Sequence, residues 1–128
     1  MLNNKGQSLV LFVMIIPIFL LLCVLVMDVG EMFLIRRELD NINYISIDYG
    51  IDNINEDNVI DKIKDIIYKN DSLIKIVYIK KEDNKIYIST EKKYDGHFLG
   101  FISRNFINIK SSYMGYVEGE KRYIERVK

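Results

Sequence analysis

KGQSLVLFVMIIPIFLLLCVLVMDVG, residues 5–30, decides how the rest of the chain is read. No side chain from Gly6 to Met27 is charged, and as a helix Leu9 to Met27 rises about 28 Å, close to the roughly 30 Å hydrocarbon thickness of a bilayer. A cleavable secretory signal has a shorter apolar core followed by small residues, whereas here Val26-Met27-Asp28-Val29 follows. A helix buried in a soluble core would need apolar neighbours on all sides, more than the remaining residues of so short a chain can supply. Pro17 removes one helical hydrogen bond, which membrane helices tolerate. The expectation is a single-pass helix in the cell membrane, with residues 1–27 as leader and span and residues 28–128 as an extracytoplasmic domain. Lys5 and the amino group precede the run, and Asp28 and Glu31 are the first charges after it, so the nearest flanks favour a cytoplasmic N-terminus.

Of 128 residues, the part outside this run fits one small domain. All 18 acidic residues and all but one of the 18 Lys and Arg lie there, leaving a charge near neutrality. Such a balance gives no reason to expect a nucleic-acid partner. The single cysteine, Cys23, lies within the apolar run and behaves as a small apolar side chain, which excludes an intrachain disulfide.

Beyond Asp28, Met32, Ile35, Leu39, Ile42, Ile45 and Tyr49 recur at steps of three and four, the spacing of one helical face. The helix is therefore expected to leave the membrane and continue to about Asp48, roughly 60 Å from Leu9. Its apolar stripe needs a cover, either the rest of its own domain or the helices of neighbouring subunits. After a polar break at Gly50-Ile51-Asp52-Asn53, residues 55–69 place Val59, Ile60, Ile63, Ile66 and Ile67 on one side of a short helix. Asn53 or Asn55 would cap it, with Glu56 and Asp57 in its first turn and Lys69 in its last.

Leu73 to Ile79 is rich in β-branched residues, Glu82-Asp83-Asn84 reads as a turn, and in 85–94 Ile86 and Ile88 alternate with Tyr87 and Ser89. That is a hairpin. A loop with glycines and aromatics, Tyr94 to Phe101, leads to a last strand from about Phe106 to Val117, with Ile107, Ile109, Ser111 and Tyr113 on one face. The charged end, Glu118 to Lys128, reads as a solvated tail. The fold class is α+β: a long N-terminal helix, a short helix and a three-stranded antiparallel sheet.

Lys5-Gly6-Gln7-Ser8-Leu9-Val10-Leu11-Phe12, the following Pro17, Asp28-Val29-Gly30 and Arg37-Glu38-Leu39-Asp40-Asn41 together resemble the N-terminal region of TadE-like pseudopilins of the Flp or tight-adherence pilus system. Phe98-Leu99-Gly100-Phe101 is similar to the Leu-Gly loop of that family, and Ile107 to Met114 to its closing strand. The resemblance implies a pilin-like fold and cleavage between Gly6 and Gln7 by a prepilin-type peptidase. It also implies packing against other pilus or secretion-apparatus subunits. One position and one stretch depart from the family pattern. Its glutamate five residues after the cut is here Leu11, which asks for no partner amino group, and its alanine-rich stretch is replaced by the bulkier Asn41 to Ile47.

Other constellations point to no chemistry. Asn53, Asn55 and Asp57 have calcium-ligand spacing, but Asn58 stands where the loop needs glycine and Lys64 where it needs glutamate. His97, the sole histidine, reads as a solvated loop residue. It has no second histidine for zinc and no cysteine nucleophile outside the run. The residues thus favour a structural protein with no catalytic residue, cofactor, metal or small-molecule substrate and with the lipid bilayer as a partner, to which the resemblance adds other pilus or secretion-apparatus subunits and the prepilin-type peptidase. The alternative is an uncut single-pass adaptor or receptor that binds a partner through the Tyr94–Phe101 loop.

Overall fold

The computed structural model describes residues 4–102 and 107–127. Its spine is α1, Asn4–Asp52, 49 residues in one continuous helix, about 73 Å long at 1.5 Å per residue. It starts before Leu9, passes through Pro17 and runs beyond Asp48. The expected break at Gly50 is not a break. Gly50 lies inside the helix, where an added Cβ would come within 2.7 Å of Ile86 Cδ1 and 2.8 Å of Ile63 Cδ1. Its smallness serves close packing, and the helix ends only where the Asn53 backbone N–H and side-chain amide both donate to the Tyr49 carbonyl.

The two halves of α1 meet different surroundings. From Asn4 to Met27 every residue is exposed except the half-buried Val24 and Leu25. Among the described residues, this is the one helix long and apolar enough to cross a membrane. In the second half, Leu39, Ile42, Asn43, Ser46, Ile47, Gly50 and Ile51 are buried. The chain's own domain covers this stripe. Ile45, expected on it, is exposed, because the buried face is centred on 39, 43, 46 and 50 and Ile45 lies about 120° from Leu39 at 100° per residue.

A short helix, α2 (Val59–Asn70), packs Val59, Ile63 and Ile67 inward. Its start departs from expectation. Asn58 occupies the N-cap position without a side-chain bond, Asn53 is used to end α1, and Glu56 and Asp57 precede the helix rather than forming its first turn. Glu56 instead pairs with Lys62 at 2.7 Å.

The sheet has four antiparallel strands, not three: β1 (Lys75–Glu82), β2 (Lys85–Tyr94), β3 (Ile107–Glu118) and β4 (Lys121–Arg126), in spatial order β1-β2-β3-β4. Within the Glu118–Lys128 segment expected to be a solvated tail, Lys121–Arg126 form the fourth strand, and Lys128 lies outside the described residues. Gly119, at φ 65°, makes the two-residue turn that pairs Glu118 with Lys121, a backbone conformation glycine adopts without steric cost. Tyr123 then stacks on Tyr116, with ring centroids 5.1 Å apart, and Ile124 packs against the core. The charges of β4 mask this pattern in the sequence. The β1–β2 turn falls at Asp83-Asn84 as expected, with Asp83 at φ 53°, a region that aspartate tolerates.

The second half of α1 lies on one face of the sheet, and its contacts with β2 give the direction of packing. Gly50 is against Ile86, Asn43 accepts a hydrogen bond from Thr90, and Asp28 and Glu31 meet Tyr94. As β2 advances, its partners on α1 recede. The strand therefore runs back along the helix and delivers its end to Asp28, where the apolar run stops.

Candidate functional site

Asp28 is the first charged side chain after the apolar run, and it is fully buried. A carboxylate can be buried only if hydrogen-bond donors replace its water. The loop after β2 supplies them. The Asp28 Oδ1 atom accepts from the His97 backbone N–H at 2.8 Å and from the Tyr94 hydroxyl at 3.0 Å, with His97 Nδ1 3.2 Å away. The Oδ2 atom accepts from the backbone N–H groups of Phe98 at 2.7 Å and Leu99 at 3.0 Å.

The local sequence explains how the loop comes so close. Gly96 is buried, and a Cβ there would stand 3.1 Å from Asp28 Oδ2 and 3.1 Å from Tyr94 Cε1. The chain then closes on itself, Gly100 N–H donating to the Gly96 carbonyl and Ile102 N–H to the Phe98 carbonyl, both at 3.1 Å. The result is the single turn α3 (Leu99–Ile102). Successive N–H groups pointing into one concavity are a backbone anion site, here filled by the protein's own carboxylate.

Electrostatics follow from this geometry. Burial raises the Asp28 pKa, but the N–H groups of Leu99, His97 and Phe98 and the Tyr94 hydroxyl lower it further, holding the carboxyl well below the usual range. Asp28 is therefore ionised at neutral pH. Burial and the neighbouring carboxylates Glu31 and Asp28 push the Tyr94 phenol well above its ordinary value, so it remains a donor. Its hydroxyl lies 2.8 Å from Glu31 Oε2 as well, and one proton serves two carboxylates in turn.

Asp28, Glu31 and His97 each bring a potential metal-ligand atom within 4.8 Å of the others. The donors decide against a cation there. Both Asp28 oxygens face N–H or O–H groups, whose positive ends would oppose a metal ion. The site holds a carboxylate and leaves it no free lone pair for proton transfer.

Further along α1, polar pairs continue the attachment. Lys92 meets Asp71 at 2.5 Å and Glu38 at 3.6 Å. The buried Asn43 donates to the Ser111 carbonyl at 3.1 Å and accepts from Thr90 at 3.0 Å. Asp40 takes bonds from Ser111 and Arg126, and Arg122 bridges Asp48 and Asp52.

Sequence reasoning placed Gly6 and Gln7 at a processing site; both are exposed in the first turn of α1, far from the sheet. In the sequence Asp28 marks the end of the apolar run, a flanking charge and part of the Asp28-Val29-Gly30 motif, with no sign of the loop that encloses it. The signal was available, since a carboxylate beside about 28 Å of hydrocarbon-like helix needs partners. The sequence does not say which loop provides them. The ring of His97 is largely exposed, as expected, but its backbone is committed to Asp28. The Tyr94–Phe101 loop, considered as a partner-binding loop, turns its backbone inward and leaves Phe101 86% exposed, with the adjoining Ile102 62% exposed. Asn53, considered as a calcium ligand, donates its amide to Tyr49. Comparison of the chain with protein-family models, curated proteins and solved structures gave no match.

Proposed function

We propose that the chain is a membrane-anchored structural subunit of the TadE-like pseudopilin kind, part of a Flp/Tad-type pilus or a related secretion apparatus. The apolar half of α1 crosses the cell membrane with the N-terminus cytoplasmic, and the α+β domain stands outside. It acts by packing rather than by catalysis and needs no cofactor. The observation that supports this reading is the outer side of α1 beyond the apolar run. Phe33 and Leu34 are each 65% exposed, Tyr44 49% and Ile45 46%. Water is a poor solvent for such a side. A helix continuous from lipid into its own domain, with apolar residues still facing outward, suits lateral contact with sister subunits.

The test is the mass and N-terminal sequence of the protein extracted from its native membrane. A start at Gln7 is expected, with Met1 to Gly6 removed by a prepilin-type peptidase. A start at Met1 would overturn processing and favour the second reading, an uncut single-pass adaptor, which Leu11 in place of the family's glutamate supports.

A further inference from the structure

The loop that encloses Asp28 carries two large apolar side chains that no described residue covers. Phe101 is 86% exposed and Ile102 62%, and they follow Leu99, whose N–H is bonded to Asp28. Their location is set by topology. Because β2 runs back along α1 toward the apolar run and ends at Tyr94 on Asp28 and Glu31, the β2–β3 connection lies at the end of the sheet nearest that run. Met27, the last residue of the run, adjoins Asp28. Phe101 and Ile102 are therefore held close to the level at which the helix leaves its apolar environment.

Resting on the membrane reading above, we infer that α3 is a second membrane contact, with Phe101 and Ile102 inserted into the interfacial layer of the same bilayer that α1 crosses. Aromatic and aliphatic side chains partition favourably there. The second observation is Asp28 itself. At the boundary of hydrocarbon a carboxylate open to one side would be costly, and here its exposure is 0% and its solvation comes from backbone N–H groups. The loop is thus built with its charge enclosed and its apolar residues outward, as a surface facing lipid requires. With the span fixing one point and α3 another beside it, the domain would be held at a set tilt to the membrane.

The experiment uses the full chain in bilayer discs, in a Cys23→Ser background, with an environment-sensitive fluorophore at Phe101→Cys. Ile18→Cys in mid-run and Asn84→Cys in the exposed β1–β2 turn are the references. Quenching is compared between lipids brominated near the carbonyl end and near the middle of the acyl chains. The expected result is loss of emission at Phe101→Cys chiefly with the shallow bromines, at Ile18→Cys chiefly with the deep ones, and at Asn84→Cys with neither. Quenching at Ile18→Cys without quenching at Phe101→Cys would overturn the α3 contact while leaving the span intact. A Phe101→Cys label shielded from both lipid and aqueous quenchers would mean that another protein surface covers it, which also overturns the inference. No quenching at Ile18→Cys would overturn the membrane reading itself.

Discussion

The two halves of α1 share one backbone and have opposite relations to the rest of the molecule. In the first half no side chain is fully buried, and apolar residues surround the helix. In the second, one face is buried and a series of polar side chains from Asp28 to Asp52 is bonded to the sheet. The difference teaches that this helix is specified twice. Hydrophobicity alone specifies the first half, which needs only an apolar solvent. Shape and hydrogen bonding specify the second, which needs a particular partner at each turn.

Equal truncations in the two halves should break that contrast if it is wrong. Leu39 is fully buried and Leu20 is 59% exposed. Leu39→Ala is expected to destabilise the domain by about 3 kcal/mol, within the usual range for a buried leucine. Leu20→Ala should leave domain stability almost unchanged, because Leu20 keeps the same surroundings whether or not the domain is folded. Thermal or denaturant unfolding in lipid discs or mild detergent measures both. A comparable loss from Leu20→Ala would mean that the first half also has a protein partner.

Glycines sharpen the contrast next. A Cβ at Gly115 would lie 2.1 Å from Ile47 Cγ2 and 2.9 Å from Ile51 Cδ1, whereas at Gly30 nothing lies within 4 Å. At Gly115, β3 leaves α1 no room for a side chain. Gly115→Ala should cost about 2 kcal/mol through overpacking, and Gly30→Ala should stabilise by up to about 1 kcal/mol through helix propensity. Opposite signs in the melting temperatures are the expected outcome.

These sites also divide what the sequence makes legible from what it does not. The apolar run, the stripe through Leu39 and Ile42, the inward face of α2 and the β1–β2 hairpin are all periodic, and periodicity survives without knowledge of partners. Gly50 and Gly115 are not periodic. A glycine that permits close packing has the same letter as one that ends a helix, and only the neighbours Ile86 and Ile47 tell them apart. The fourth strand was hidden for a related reason. Arg122 and Arg126 look like tail charges until Asp48, Asp52 and Asp40 are seen opposite them. Asp28 combined both difficulties, since three of its donors are backbone groups 69 to 71 residues away, and backbone donors leave no mark in a sequence.

A local rather than global effect is expected at Asp28. Asp28→Asn keeps the size of the side chain but turns its NH₂ toward N–H groups, donor against donor. Amide exchange at His97, Phe98 and Leu99 should accelerate while the β2–β3 core stays protected. Acid should do the same to the native protein. Since the folded pKa of Asp28 lies below its ordinary value, the contribution of ionised Asp28 is complete above about pH 4 and is lost as pH falls through the lower folded value. Loop protection in the native chain should decline across that range, and in Asp28→Asn it should not. If both decline alike, another carboxylate holds the loop.

The smallest effect is expected where the second half of α1 meets the edge strand. Arg122 lies 2.5 Å from Asp48 and also bonds Asp52, with the three side chains 43%, 46% and 50% exposed. Ion pairs this open to water gain little, because solvent screens them and ordering long side chains opposes them. Arg122→Ala should therefore lower the melting temperature only slightly. In about 1 M salt, where the Debye length falls to about 3 Å, mutant and native chain should coincide. A large loss that persists in salt would show that Arg122 holds β4 to α1 through contacts that salt does not screen. A slight, salt-sensitive one would leave Tyr123 on Tyr116 and the β3–β4 ladder as what retains it, and would put the ion pairs of this face in the role of choosing which way the strand lies rather than how firmly it stays.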